Sequence, residues 1–328
     1  MAETYHILER RPDPLLLSIV IPMYNEEEVM PILRPRLTAL LDRMAMPVEV
    51  VLVNDGSRDL TLKYLHEWAL GDRRIRVVSL ARNFGHQAAL TAGLNYARGE
   101  AVVSMDADMQ DPPEVVLEMV EKYREGYDVV YGQRRKRTGE TIFKLASAWL
   151  FYRFMRLFIY KDLPTDVGDF RLMSRPCLDV LLSMRETNRF LRGMVSWVGF
   201  AQTFVQYDRS ARAAGTTKYP LRKMVKFAAT AAISFSPAPL RAIMLLGVIT
   251  GLLGLGVGAY AVLVKLLGIY AVPGWASTIV VVCLVGSEIL FGLGMVGEYV
   301  GRIYDESKGR PLYVVAKIFE SPPHKEKP

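Results

Sequence analysis

The chain has 328 residues, 51% hydrophobic and 23% charged, a mixture that fits a soluble domain joined to a membrane part better than a wholly embedded protein. Its net charge of +7 suits an anionic partner, whether nucleic acid, a lipid headgroup surface or a phosphorylated substrate. No nucleic-acid module or aromatic-basic repeat is found, so no nucleic-acid partner is expected, and with only Cys177 and Cys283 neither a disulfide framework nor a cysteine zinc site is expected.

Five short runs rich in β-branched residues, Leu17–Ile21, Val48–Val53, Ile75–Ser79, Ala101–Met105 and Asp128–Tyr131, alternate with segments of helical length and apolar spacing, Glu26–Met44, Leu60–Leu70, Gln87–Ala97 and Pro113–Glu125. This alternation predicts an α/β domain with a mostly parallel sheet and helices on both faces, which binds ligands beyond the carboxyl ends of its strands. The turn after the first run, Met23-Tyr24-Asn25-Glu26, lacks the glycines of a dinucleotide phosphate loop. The first residues show no secretory pattern, because the apolar run from Leu15 ends at Pro22, and the N-terminal part is expected in the cytoplasm.

Asp106 and Asp108 stand where the fourth run breaks into a polar turn. Residues two apart on a strand share a face, so both carboxylates are expected to aim at one point beyond the sheet. Such a pair suits Mg²⁺ or Mn²⁺, with coordination sites left over for phosphate oxygens. The rival reading is an Asp-rich helix entry, and Asp111, followed by Pro112-Pro113-Glu114, is assigned that N-cap role. Asp55-Gly56-Ser57 fits a base or ribose contact and also ordinary turn chemistry. His86 fits a donor contact or a packing residue at a helix start. Arg134, Arg135, Arg137 and Lys144, then Arg209, Arg212 and Lys218, are either a solvated basic surface or a joint phosphate site.

No residue from Ala242 to Val264 is charged, nor any from Leu266 to Ser287, and the second stretch resumes beyond Glu288 to Gly297. Each is long enough to cross a bilayer, and the short connection makes a hairpin. Cations cluster before the first stretch (Arg222, Lys223, Lys226, Arg241) and after the second (Arg302, Lys308, Arg310), which predicts both termini in the cytoplasm. Leu221, Met224, Val225 and Ala228 at helical spacing predict an interfacial helix, with a helix packed on the soluble domain as the rival. Gly247, Gly251, Gly254 and Gly258 predict helix–helix packing within the hairpin or between subunits, and Glu288 is expected to face a partner rather than lipid. The Gly292–Gly297 stretch, which has the spacing of a nucleotide fingerprint, is read as helix packing.

In order along the chain come Pro22-Met-Tyr24-Asn25-Glu26, Val53-Asn54-Asp55-Gly56-Ser57, Arg82-Asn83-Phe84-Gly85-His86, Asp106-Ala-Asp108-Met-Gln110-Asp111-Pro112, Gly168-Asp169-Phe170-Arg171, Gly215-Thr-Thr-Lys218-Tyr219 and Gly297-Glu298-Tyr299-x-Gly301-Arg302. The set resembles the polyisoprenyl-phosphate glycosyltransferases, in organisation the GtrB-like undecaprenyl-phosphate glucosyltransferases and more distantly the dolichol-phosphate mannose synthases. The resemblance implies a GT-A (Rossmann-like) fold and inverting sugar transfer, glucose from UDP-glucose, onto a polyisoprenyl phosphate at the cytoplasmic leaflet of the inner membrane. It further implies Pro22, Tyr24, Glu26 and Asp55 as donor pocket, and Asp106, Asp108 and Gln110 as holders of a divalent cation and the donor diphosphate. Arg134, Lys144, Arg212 and Lys218 are implied at the acceptor phosphate. Asp169 stands where relatives place a base; a phosphate monoester ionises near pH 6 and scarcely needs one, so Asp169 is expected to position the acceptor or a nearby arginine.

The expected organisation is a catalytic domain over 1–218, an interfacial region over 219–241, a transmembrane hairpin over 242–297 and a cytoplasmic tail over 298–328, in a homo-oligomer. The rivals are a GDP-mannose-dependent mannose synthase, a processive polysaccharide synthase, which lacks support because no Gln-x-x-Arg-Trp motif occurs, and a non-catalytic scaffold, which has no need of the intact acidic motifs.

Overall fold

The computed structural model describes residues 6–135, 167–208, 238–267 and 274–321. They divide between two compact units: one holds the N-terminal domain together with the last residues from Pro311, the other the two long apolar helices.

In the first unit, β1 (Leu17–Met23), α1 (Met30–Arg43), β2 (Val48–Asn54), α2 (Thr61–Gly71), β3 (Ile75–Leu80), α3 (His86–Tyr96), β4 (Ala101–Ser104), α4 (Val115–Arg124) and β5 (Val129–Arg134) follow the alternation in the sequence. Then come β6 (Val167–Ser174), α5 (Arg175–Ser183), α6 (Leu191–Val198) and β7 (Gln202–Tyr207), with β8 (Val315–Glu320) after the apolar helices. One sheet has the order β7-β5-β6-β4-β1-β2-β3-β8. β1 pairs in parallel with β2 and β4, β2 with β3, and β5 with β7, whereas β6 and β8 run antiparallel to their neighbours.

The strands are apolar on both faces because helices cover both. Leu17, Ile19 and Ile21 of β1 pack with Leu33, Leu37, Trp68 and Met119 from α1, α2 and α4. Val20 of the same strand joins Leu90, Leu94, Leu178 and Met194 from α3, α5 and α6 on the other face. At Gly93 a side chain has no room, since a Cβ there would fall 2.3 Å from Val20 Cγ1. β1 has β2 on one side and β4 on the other, so chain order reverses beside it, and the carboxyl ends of β1, β2 and β4 form the switch point at which α/β sheets bind ligands.

The expected tail over 298–328 is not a separate segment. Residues 315–320 are a strand of the catalytic sheet, with Arg76 opposite Glu320 and Val78 opposite Ile318. Its residues are largely exposed, and only Val315 and Phe319, the latter ring-to-ring with His66 at 4.6 Å, add to the core; that weak pattern hides it in the sequence.

In the second unit, α7 (Ala238–Leu266) and α8 (Trp275–Ser307) contain stretches, Leu240–Val264 and Val280–Ser307, long and apolar enough to cross a membrane. The second helix is displaced toward the C-terminus relative to the expected span, starting at Trp275 and continuing beyond Gly297 to Ser307. The two pack through Gly247, whose Cβ would lie 3.6 Å from Glu288 Oε1, and Gly292, whose Cβ would lie 3.3 Å from Ile243. Glu288 thus faces the partner helix, as expected for an intramembrane carboxyl. Gly251, Gly254 and Gly258 meet nothing within 4 Å among the described residues. The interfacial segment 219–237 lies outside the described residues.

Candidate active site

The loops after β1 and β2 are tied to each other by side chains. Ser57 Oγ accepts from the Asn25 amide at 3.1 Å, Thr61 Oγ1 from the Glu26 amide at 2.9 Å, and Asn25 Oδ1 from the Arg58 amide at 2.9 Å. Asn25 takes a positive φ of 53° in this turn, a conformation asparagine tolerates. Tyr24 and Glu26 are half-buried here, while Pro22 is buried inside β1 opposite Val53.

Asp55 is 2% exposed. Its two oxygens accept from the backbone amides of Phe84 (2.7 Å) and Gly85 (3.0 Å), fixing the loop that leads into α3. Burial raises its pKa, and the two amides and nearby cations oppose the rise. Gly56, at φ 64°, lets this loop touch the next: a Cβ there would fall 2.4 Å from the Arg82 carbonyl carbon. The local turn bond at this position belongs to Asn54, whose Oδ1 accepts from the Ser57 amide at 3.2 Å, whereas Asp55 holds a loop 29 and 30 residues further along the chain.

β4 ends at Ser104, two residues before Asp106, so the expected strand-like alternation does not extend through the motif. The segment turns instead: Met109 adopts φ 57° and Asp108 Oδ1 accepts from the Gln110 amide at 3.2 Å. Dehydration raises the Asp106 pKa to about 6; His86 opposes the rise, and Asp169, Asp111 and Asp108 add to it. A crowd of carboxylates of this kind is the donor chemistry that suits a hard cation. Among the described residues no group of three or more His, Cys, Asp or Glu side chains is arranged to hold one.

Asp111 does not cap α4, whose N-cap is Glu114 without a side-chain bond. It is 2% exposed, accepts a short hydrogen bond from Tyr207 Oη on β7, and lies 3.6 Å from Arg134 at the end of β5. The strand partner that recruits it is 96 residues away, beyond the reach of local sequence rules.

Asp169, on β6 and 4% exposed, is the most heavily bonded carboxylate of the group. Arg171 donates to Oδ1 at 2.8 Å, Arg192 of α6 donates to Oδ1 and Oδ2 at 3.1 and 3.2 Å, and Gln87 Nε2 to Oδ2 at 3.4 Å. His86 bridges Asp169 (3.4 Å) and Asp106 (3.5 Å). Although burial acts in the opposite direction, these partners, Arg192 first, hold the carboxyl well below the usual range. Burial lowers the His86 pKa, and the hydrogen bond to Asp169 with the charges of Asp106 and Asp169 outweighs it and raises the value. Gln87, Arg171, Arg192 and Tyr207 are the side chains the sequence assigned no role in the site, and His86 meets two carboxylates where the sequence offered a donor contact or a packing role; the contacts that recruit them cross between strands and helices far apart in the chain.

Asp55, Asp106, Asp108, Asp169 and Arg134 therefore come from the carboxyl ends of β2 and β4, from β6 and from the end of β5. Arg135 points elsewhere, toward exposed Asp208 at 3.9 Å. Lys144, Arg212 and Lys218, together with Arg137 and Arg209, lie outside the described residues.

Residues 18–182 match the family model Glycosyl transferase family 2. An uncharacterized glycosyltransferase of Bacillus subtilis, YkcC, is 47% identical over 92% of this chain and 94% of its own. A prophage bactoprenol glucosyl transferase homolog of Escherichia coli K12 is 36% identical over 92% and 99%, and the bactoprenol glucosyl transferase of Shigella phage SfII 36% over 94% and 99%. A solved mannosyl-3-phosphoglycerate synthase from Rubrobacter xylanophilus is more remote, at 19% identity and TM-score 0.47 over 71% and 75%.

The chain is a glycosyltransferase and belongs to family 2, with the GT-A fold that the motifs led us to expect. Within that family its motif set is that of the polyisoprenyl-phosphate glycosyltransferases, and that resemblance is borne out by relatives matching over nearly the whole chain.

Proposed function

We propose that the protein transfers a hexose, glucose from UDP-glucose, onto a polyisoprenyl phosphate such as undecaprenyl phosphate at the cytoplasmic leaflet, with inversion at the sugar. The observation that carries this reading is the juxtaposition of Asp106 with Asp169 through His86, beside the switch point of the sheet. The bactoprenol glucosyl transferase relatives support the acceptor class, and the two apolar helices support its presentation at a bilayer.

In this reaction an oxygen of the lipid phosphate forms a bond to the anomeric carbon as the bond from that carbon to the diphosphate breaks, and UDP leaves. A bound Mg²⁺ or Mn²⁺ would supply charge neutralisation on the leaving diphosphate. Asp106 and Asp108, with Gln110 beside them, are the groups that would hold it. Asp169, with its strongly depressed pKa and its oxygens engaged by Arg171, Arg192 and His86, suits orienting cations better than taking a proton. The acceptor phosphate is already largely anionic at neutral pH, so no base is demanded.

Both Asp106→Asn and Asp108→Asn are expected to abolish Mn²⁺-dependent turnover while the thermal melt stays within a few degrees, since each removes a charged oxygen from a turn. Near-normal turnover in either variant contradicts the metal assignment. Inversion is checked by the anomeric coupling constant of the lipid product, which should report the opposite anomer to that of the donor.

A further inference from the structure

Two guanidinium groups share one buried carboxylate. Arg171 is 1% exposed and uses its donors on Asp169 Oδ1, on the Gly168 carbonyl at 3.2 Å and on the Leu191 carbonyl at 3.3 Å, so it is a fixed part of the core. Arg192 lies on the outer edge of the same carboxylate through a two-point contact and is 38% exposed. The two-point contact fixes the plane of the Arg192 guanidinium as a single bond would not. Its helix is anchored as well, because Gln87 accepts from the Leu191 amide at 3.2 Å while donating to Asp169.

A second cation approaches the same stretch of β6. Arg134 is held by Asp111 and by Tyr207 Oη, which accepts from its Nε at 3.4 Å. A Cβ on Gly168 would lie 3.2 Å from Arg134 Nη2, so the glycine leaves room for this side chain next to Asp169. The two cations thus flank adjacent residues of β6, Arg134 at Gly168 and Arg192 at Asp169. Like charges held together by separate carboxylate supports, at a partly dehydrated site, are the arrangement that a bound oxyanion relieves.

We propose that Arg192 is a phosphate-binding residue of the site, acting with Arg134 on one oxyanion, and that Asp169 is the positioning residue that orients Arg192. The inference rests on the functional reading above, in which the phosphate comes either from the donor diphosphate or from the lipid phosphomonoester; the chemistry is the same for both, and the experiment separates them.

The test uses the full-length protein in lipid nanodiscs. UDP affinity is measured by calorimetry in Mn²⁺, KM is measured for undecaprenyl phosphate and for the donor sugar, and inorganic pyrophosphate serves as a competing probe of UDP binding. Arg192→Gln is expected to weaken one of these constants about tenfold or more, the size of one lost charge-assisted contact. A rise in the lipid KM alone assigns the acceptor phosphate, and weaker UDP and pyrophosphate binding assigns the donor diphosphate. Arg192→Lys should recover part of the loss, because it keeps the charge but not the fork. Asp169→Asn should move the same constant, and the double variant should be no worse than the poorer single. If Arg192→Gln melts at a much lower temperature, Arg192→Lys is read in its place. A well-folded variant with all these constants within twofold of the parent, even with kcat reduced, overturns the proposal. A parent protein that transfers to no polyprenyl phosphate sinks the functional reading instead, and the UDP and pyrophosphate arms still decide the fate of Arg192.

Discussion

Asp169 shows why a substitution at this site has two consequences. Removing its charge leaves Arg171 buried without its counter-ion, which costs about 3–5 kcal/mol in comparable broken pairs. Asp169→Asn is therefore expected to lower the melting temperature strongly, and its activity has to be compared at a temperature where it is folded. The folded pKa lies below the unfolded one, so the stabilisation from this carboxylate is complete above the ordinary carboxylate range, about pH 4, and is lost only as the pH falls through the depressed folded value. In the folded variant, activity should drop by a similar factor from pH 6 to 9; a selective recovery at high pH would restore the base role. Tyr207→Phe tests the neighbouring support. It removes the hydroxyl that bonds Asp111 and Arg134, and should cost about 1–3 kcal/mol by leaving a buried carboxylate short of a donor. Denaturant unfolding measures that cost, and a change below ~0.5 kcal/mol would show the contact to be incidental.

At the scale of elements, β8 is the least expected part. The strand covers the edge of β3, and the Val314 carbonyl accepts from the Ala81 amide just before the loop that Asp55 holds. Removing residues 311–328 should lower both stability and UDP affinity, by calorimetry and thermal melt; unchanged UDP affinity would mean that the loop is set by Asp55 alone. The first five strands and four helices could be read from the sequence because each carries its own apolar period. Asp106, Asp108 and Asp169 could be read because each sits in a short, dense motif. The rest depends on partners distant in sequence. Asp111 looks like a cap until Tyr207 is placed beside it, Arg192 looks like a surface cation until α6 is docked on β6, and His86 looks like a helix start until it meets two carboxylates.

For the whole molecule, β8 pairs with β3 in one sheet, so if the two apolar helices cross a bilayer they are expected to do so as a hairpin that returns the chain to the side it left. A cysteine introduced at position 270 should react with an impermeant thiol reagent from outside intact cells, and one at 317 only after lysis; equal labelling of both from outside would contradict the hairpin. Replacing residues 238–310 by a long Gly/Ser linker keeps β8 in the chain. The product is expected to bind UDP yet transfer poorly to long-chain lipid, since the acceptor is presented at the membrane. A folded linker variant that no longer binds UDP would show that the apolar helices help build the donor pocket.

The most direct measurement offers a panel of UDP- and GDP-sugars, with Mg²⁺ or Mn²⁺, to membranes containing the protein and either undecaprenyl or dolichyl phosphate, and identifies the lipid product by mass. The expected product is undecaprenyl phosphate carrying one hexose, formed from UDP-glucose with stoichiometric release of UDP and lost in Asp106→Asn. A hexosyl lipid formed from GDP-mannose alone would correct the donor; no glycosylated lipid phosphate from any donor, with a folded protein that binds UDP, would contradict the proposed activity.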